Sequence, residues 1–394
     1  FGEHLEPPLY AIVLAGFFLM FGGSLWSVYL LNFIFFYGAV LVLFLISRKA
    51  FQGYWQLLPP LMLACFWGAS QYLLFPNLEP MFLFLTTGFI FSLMRYQTSD
   101  WAWTWVLTAG VLYGMMALEK PVFGYFYPVL AMCIWIWIRR DTPLKKIFLH
   151  GALLLIPGVL IIGGWYIRNL VVLGEARVKS TGNVIYVRAK SAEFSGNARA
   201  GFITSAFLDN YIADKFMPGY ALHPEPESTI RERRERRRDM KAAGLSDLVA
   251  NDVLYADAVT LVKQHPLQYM LLTPVWLARL HILPGYYGGE DIDNLFVGTH
   301  TAVPAWMKIL IILTLRAGWF LFVFLAGAGA LRWLWRIKSR VDSSLGLSVA
   351  ALLMGFITIA YASLSHSEVR YILPLMPFYF IFFTRIVRGW GVIS

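Results

Sequence analysis

Long apolar runs separated by short polar turns set the pattern of this chain. Runs of about 20 apolar residues, the length that spans a bilayer, fall at 25–47, 55–75, 79–95, 101–118, 121–138, 147–167, 306–335, 343–362 and 371–388. The pattern predicts nine spanning helices. Several runs begin or end at Trp, Tyr, Arg or Lys, as interface anchors do. Segment 7–22 is apolar but short, which predicts a shallow or re-entrant helix. Residues 168–305 predict one extramembrane domain. Within it, Thr229 and Glu232 form a capping-box pattern at the start of a charged helix, and Gly244 is its expected stop. A second helix is expected over 247–264, where Leu248, Val249, Val253, Ala256, Val259 and Val262 recur near helical spacing and Pro266 ends it. Segment 267–283 is apolar, interrupted by Pro274 and too short to span, so it is expected to lie at the membrane interface.

The turns between these runs alternate between two chemical types. Arg48-Lys49, Arg139-Arg140 with Lys145-Lys146, Arg332, Arg336, Lys338 and Arg340, and Arg385 with Arg388 make one basic set. Glu79, Glu119-Lys120, Arg168-Asn169, and His366, Glu368 and Arg370 make a mixed set of carboxylates and single cations. The basic set reads as cytoplasmic, which puts the mixed set and the 168–305 domain on the other face. Ionisable groups at the mouths of spanning helices are functional candidates. The expected organisation is an N-terminal outer segment at 1–24, transmembrane helices at 25–167, an extracytoplasmic helical loop domain at 168–305 and C-terminal transmembrane helices at 306–394.

Composition narrows the class. The chain has 394 residues, 58% hydrophobic and only 14% charged, which excludes a soluble globular protein. The net charge of +10 follows from topology, and no nucleic-acid partner is expected. Cys65 and Cys133 both lie in apolar runs and imply no disulfide. The seven histidines show no ligand spacing, so neither a metal site nor a cofactor is expected. Glu290, Asp291 and Asp293 contain an Asp-x-Asp pair, a pattern that chance supplies often in loops. The Arg-rich run 231–239 reads first as a solvated helix face with i,i+3 and i,i+4 charge pairs.

The remaining candidates each have a plain reading. Glu3, His4 and Glu6 precede a membrane-dipping helix and can activate an acceptor hydroxyl or amine; the plain alternative is a solvated helix start. Lys120, Arg168 and Arg370 sit at outer helix ends, at the depth of a polyprenyl phosphate, and Arg grips phosphate bidentately. Snorkelling to ordinary headgroups is the alternative. Against it stand Glu79, Glu119 and Glu368, because a headgroup anchor has no use for adjacent carboxylates.

Six stretches carry a family resemblance. They are EPPLYAIVLAGFFLMFG (6–22), LEPMFLFL (78–85), GMMALEKPVFGYFYP (114–128), GWYIRNLVVLGEARVKSTGN (164–183), KQHPLQYMLL (263–272) and SEVRYILPLMPF (367–378). In this order they resemble bacterial GT-C glycosyltransferases of the dolichyl-phosphate-mannose–protein mannosyltransferase type, to which the aminoarabinose lipid A transferase is related. The resemblance implies an all-α polytopic membrane protein with a GT-C-like transmembrane helix bundle. It implies a polyprenyl-phosphate sugar donor, inversion at the anomeric carbon and a lipid, glycan or protein acceptor. Glu6-Pro7-Pro8, Lys120, Arg168-Asn169 and Arg370-Tyr371 fall at motif positions of the family. The family's catalytic Asp follows a first spanning helix that these residues do not include. It is therefore expected upstream of Phe1, assisted by Glu6.

The resulting expectation is an integral protein of the bacterial inner membrane. It moves a sugar on the extracytoplasmic face, with Glu3, His4 and Glu6 on the catalytic side. Glu79, Glu119, Lys120, Arg168, Asn169, Glu368, Arg370 and Tyr371 are the substrate-binding set. Its rivals are a non-catalytic membrane scaffold or partner subunit with the same fold, and a lipid-linked sugar transporter. A transporter predicts charges at the midplane and repeat symmetry, whereas the charges here sit at helix ends and no inverted repeat is evident.

Overall fold

Apolar runs without enough polar side chains to satisfy an open backbone must close their hydrogen bonds internally, and helices do this locally. A computed structural model describes residues 8–99, 102–138, 143–174, 182–217, 227–281, 303–336, 344–364 and 369–391, and every regular element among them is helical. In chain order the helices are α1 Leu9–Phe21, α2 Leu25–Ala50, α3 Leu58–Ala64, α4 Trp67–Leu73, α5 Glu79–Tyr96, α6 Ala102–Glu119, α7 Tyr127–Ile138, α8 Leu144–Leu173, α9 Gly182–Lys190, α10 Gly196–Phe207, α11 Asn210–Phe216, α12 Glu227–Ala242, α13 Asp247–Gln264, α14 Pro266–Leu271, α15 Thr273–Leu280, α16 Ala305–Arg336, α17 Leu345–Leu364 and α18 Met376–Gly391. They fall into two units. The first comprises 1–179, 322–357 and 372–394, and the second 180–321 and 358–371.

Four helices among the described residues are long and apolar enough to cross a membrane, namely Leu25–Ala50, Lys145–Val172, Ala305–Trp335 and Leu345–Leu364. α5 and α6, with 18 residues each, extend about 27 Å at the helical rise per residue. α1 has 13 residues, about 20 Å, and falls short of a bilayer's apolar core of about 30 Å.

The expected span 55–75 is not one helix. A 3-10 turn at Gly53–Gln56 leads into α3, and the chain breaks at Cys65-Phe66 before α4. Pro59 and Pro60 occupy the first turn of α3, where they lack only donors the helix does not use. At Phe66 the backbone turns extended, with φ −74° and ψ 100°. The expected helix at 121–138 likewise opens with a 3-10 turn, Pro121–Phe126, and the last expected span opens with two, Val369–Tyr371 and Leu373–Leu375.

In the first unit, α6 and α8 pack backbone to backbone. A Cβ on Gly110 would lie 2.5 Å from the Leu154 carbonyl oxygen, and one on Gly114 would lie 2.6 Å from the Gly158 Cα. Only glycine admits such an approach. Both contacts carry the same sequence offset, 44 residues (154 − 110 and 158 − 114), so the two helices run parallel.

In the second unit the core gathers on Trp276, whose ring meets Phe202 at 5.2 Å with Val187, Phe194, Ala206, Leu272 and Val275 around it. The expected helix 247–264 is present as α13, capped by Ser246 Oγ accepting from Val249 N. The described part of α12 is already helical at Glu227, so Thr229 lies inside the helix instead of opening it, and its side chain is buried. Its end matches expectation. Gly244 has φ +84°, Gly244 N donates to Lys241 O at 2.9 Å, and Leu245 N donates to Met240 O at 3.0 Å, the paired bonds of a Schellman stop. The Arg-rich face of α12 is only partly solvated. Arg236 donates to the Tyr186 hydroxyl at 2.8 Å and to Asp257 at 2.7 Å, tying α12 to α9 and α13. Segment 267–283 divides at Leu272 into α14 and α15, with Pro274 in the first turn of α15.

Candidate functional site

The first unit sorts its described charged groups to two ends. At one end α5 begins with Glu79-Pro80. The proline lacks a donor the first turn does not need, and the carboxylate meets the positive end of the helix dipole. At the same end α6 finishes at Glu119. Lys120 leaves the helix in an extended conformation, φ −129° and ψ 94°, as a residue before proline tends to. Its Nζ lies 3.9 Å from Glu79 Oε1 and 4.8 Å from the centre of the Phe82 ring. Glu79, Glu119 and Lys120 are 3%, 4% and 8% exposed. A buried charge is costly unless an opposite charge faces it, as Glu79 faces Lys120 here.

Two residues that the sequence pattern did not single out complete it. α1 has no side-chain cap of its own. Glu119 supplies the acceptor from α6, taking the Tyr10 N–H into its Oε1 at 2.7 Å, which satisfies one of the donors a helix start leaves open. The Tyr10 hydroxyl donates to Asn32 Oδ1 at 3.1 Å. Asn32, fully buried in α2, donates from Nδ2 to the carbonyls of Phe75, Leu73 and Tyr72 at 2.7, 3.2 and 3.4 Å. This amide holds the turn that delivers Glu79. Its signal was available as a lone amide in an apolar run, which is costly without partners. Tyr10 had no signal of that kind.

Arg168 and Asn169 belong to the last turns of α8. The Arg168 guanidinium donates to Asn169 Oδ1 at 2.8 Å and stacks 4.7 Å from the Trp165 ring. Carrying the α6–α8 offset forward places Arg168 about five residues, on the order of 8 Å, beyond the level of Glu119 along the helix axis. It is therefore at the same end of the unit as the buried cluster. Arg370 and Tyr371 belong to the second unit, where Tyr371 stacks on Tyr361 at 4.2 Å and Arg370 lies exposed, 5.6 Å from the Tyr371 ring. Glu3, His4, Glu6, Glu368 and His366 lie outside the described residues, as do Glu290, Asp291 and Asp293. Among the described residues no three His, Cys, Asp or Glu side chains come together as a metal site.

The grouping can do two things. Lys120, pressed against apolar surface, offers a cation of low hydration to an oxyanion, and Glu79 and Glu119 hold the local charge in balance. Glu119 also fixes the start of α1, and Glu6 precedes Tyr10 by four residues in the chain.

Residues 5–165 match the dolichyl-phosphate-mannose-protein mannosyltransferase family. Over that stretch the resemblance to these GT-C glycosyltransferases is borne out. The matched stretch contains Tyr10, Asn32, Glu79, Glu119 and Lys120, and ends before Arg168. No curated protein matches the chain. Among solved structures, the archaeal oligosaccharyltransferase AglB from Archaeoglobus fulgidus, in complex with an inhibitory peptide and a dolichol-phosphate, is similar at 13% identity with a TM-score of 0.46. The alignment covers 99% of this chain and 43% of that one, so the chain spans less than half the length of that protein.

Proposed function

We propose that this protein is a membrane glycosyltransferase that moves a sugar from a polyprenyl-phosphate donor to an acceptor on the extracytoplasmic face. The observation that carries the reading is the buried Glu79–Lys120 pair with Glu119 and Tyr10, inside the stretch that matches the mannosyltransferase family. Lys120 and Arg168 are assigned to the donor phosphate. Glu79 holds Lys120 in place when no donor is bound, and Glu119 anchors the N-terminal segment that carries Glu3, His4 and Glu6. In the reaction an acceptor hydroxyl or amine attacks the anomeric carbon. The bond from that carbon to the phosphate oxygen breaks, the acceptor proton passes to a carboxylate, and polyprenyl phosphate leaves with its negative charge stabilised by the two cations. Attack opposite the leaving group inverts the anomeric centre.

Binding of polyprenyl phosphate to the detergent-solubilised protein tests the assignment. A charge-assisted hydrogen bond at a partly desolvated depth contributes about 1.5–3 kcal/mol, so Arg168→Ala should weaken binding by about tenfold or more. Arg168→Lys should recover part of the loss, since it keeps the charge without the planar fork. Arg234→Ala, on the exposed face of α12, serves as the comparison and should bind as the parent does. Unchanged affinity in both Arg168→Ala and Lys120→Ala, with folding intact, would remove the donor assignment. For the face, a Cys at Asn197 should react with an impermeant thiol reagent in intact cells, and labelling only after permeabilisation would reverse the topology.

A further inference from the structure

We infer that the end of the first unit opposite the Glu79–Lys120 cluster holds the phosphate of an anionic phospholipid among the ends of α2, α5 and α8. Three helix termini meet there. Lys49, in the last turn of α2, donates from Nζ to Thr98 Oγ1 at 2.8 Å, just past the end of α5. Arg95, in the last turn of α5, lies 5.4 Å from the ring of Trp105. The neighbouring Tyr96 hydroxyl shares a 2.7 Å hydrogen bond with His150 Nδ1 of α8, one turn after Lys146. Lys49 and Arg95 are close enough to act on one another electrostatically, and so are Lys146 and His150.

Among the described residues no carboxylate stands beside these cations. Among the described residues of the unit, the only carboxylates are Glu79 and Glu119. Glu79 opens α5 and Arg95 closes it, so about 24 Å of helix separates them. Glu119 likewise ends α6, while Trp105 is near its start. The dipoles of α2 and α5 favour the cations in their last turns. The dipole of α8 adds its own positive end to Lys145 and Lys146. Like charges gathered by fixed hydrogen bonds and ring contacts at three helix ends attract an anion, and among the described residues no carboxylate supplies one.

The depth names its source. Lys49 and Lys145 lie in the terminal turns of the spans Leu25–Ala50 and Lys145–Val172, where a bilayer places its phosphates. The side chains present are donors and aromatic edges, the chemistry of a phosphodiester headgroup. Lipid association needs no sugar donor, so this inference stands apart from the glycosyltransferase reading.

The experiment reconstitutes the full-length protein in phosphatidylcholine and measures association of spin-labelled phosphatidylglycerol against spin-labelled phosphatidylcholine. The wild type should prefer phosphatidylglycerol by about tenfold, and the preference should fall as salt rises. Lys49→Gln with Arg95→Gln should lose most of it, and Lys49→Arg with Arg95→Lys should keep it. Arg385→Gln with Arg388→Gln, which removes equal charge from α18, should also keep it. The inference is overturned if the wild type shows no preference, or if the Lys49/Arg95 double variant keeps it. It is overturned too if the α18 variant loses as much, which would mean charge alone is read. Displacement of the labelled lipid by millimolar inorganic phosphate would overturn the lipid as the ligand.

Discussion

Replacing Glu79 with Gln keeps the shape of the side chain and removes its charge. The perturbation falls on a pair separated by 3.9 Å with side chains only 4% and 8% exposed. At an effective dielectric of about 20, two unit charges at this distance attract by about 4 kcal/mol. Gln recovers part of this because a neutral amide is cheaper to bury, yet it leaves Lys120 without the carboxylate it faces. Breaking one side of a buried pair costs about 3–5 kcal/mol. The expected loss for Glu79→Gln is therefore about 3 kcal/mol. At 2–4 °C per kcal/mol for a domain of this size, that is a fall of about 6–12 °C in melting temperature. Lys120→Met should cost a comparable amount. In the double variant neither member of the pair is left stranded by loss of the other, so its loss should be smaller than the sum of the singles by about 2 kcal/mol or more. Thermal unfolding in detergent, followed by tryptophan fluorescence, reads all four proteins. Additivity within about 0.5 kcal/mol would refute the reasoning, since it would show that the two groups do not depend on one another.

Three further outcomes follow from the geometry. Asn32→Leu should lower stability by about 1–3 kcal/mol, because it strips a buried donor from the 72–75 turn and leaves the Tyr10 hydroxyl without its acceptor; a melt within error of the parent would count against it. Gly110→Ala should cost about 1–3 kcal/mol or prevent accumulation of folded protein, since the added carbon meets backbone 2.5 Å away, while Gly163→Ala, with open space around it, should melt like the parent. Burial holds His281 below the ordinary imidazole pKa near ~6.5, against a weaker opposing bond to the Leu277 carbonyl. The folded state then resists a proton that the unfolded chain accepts. His281 stabilises the fold above ~6.5 and that contribution is lost as pH falls, by up to about 1.4 kcal/mol per pH unit; His281→Gln should flatten the melting temperature between pH 7 and 5, and an unchanged slope would exclude the effect.

What the sequence makes legible is what local spacing controls. The α13 helix follows from apolar residues at helical intervals and a Pro behind them, while the sequence pattern did not single out its Ser246 cap. The Gly244 stop follows from the one residue type that takes φ +84° at no steric cost. The run at 55–75 misleads because greasiness reports transfer to lipid, not continuity of hydrogen bonding, and the break at Cys65-Phe66 leaves the composition untouched. The capping pattern at Thr229 misleads because the same residues also suit a helix already under way. Glu79 and Lys120 lie 41 positions apart (120 − 79). Their charges mark them as candidates, but only the packing of α5 against α6 brings them together. Tyr10 enters the site through its backbone N–H, a group every residue but proline carries, so no side-chain pattern announces it.

The glycine contact between α6 and α8 makes the pair a ruler. With both backbones in register at Gly110 and Gly114, every later position on α8 has a fixed height and bearing relative to Glu119. One residue added between Gly158 and Arg168 would raise the arginine by only about 1.5 Å, yet swing it about 100° around the axis. Substitutions along that stretch change what the helix is made of. Insertions and deletions change where its cation points, so this segment should tolerate new letters far better than a new length.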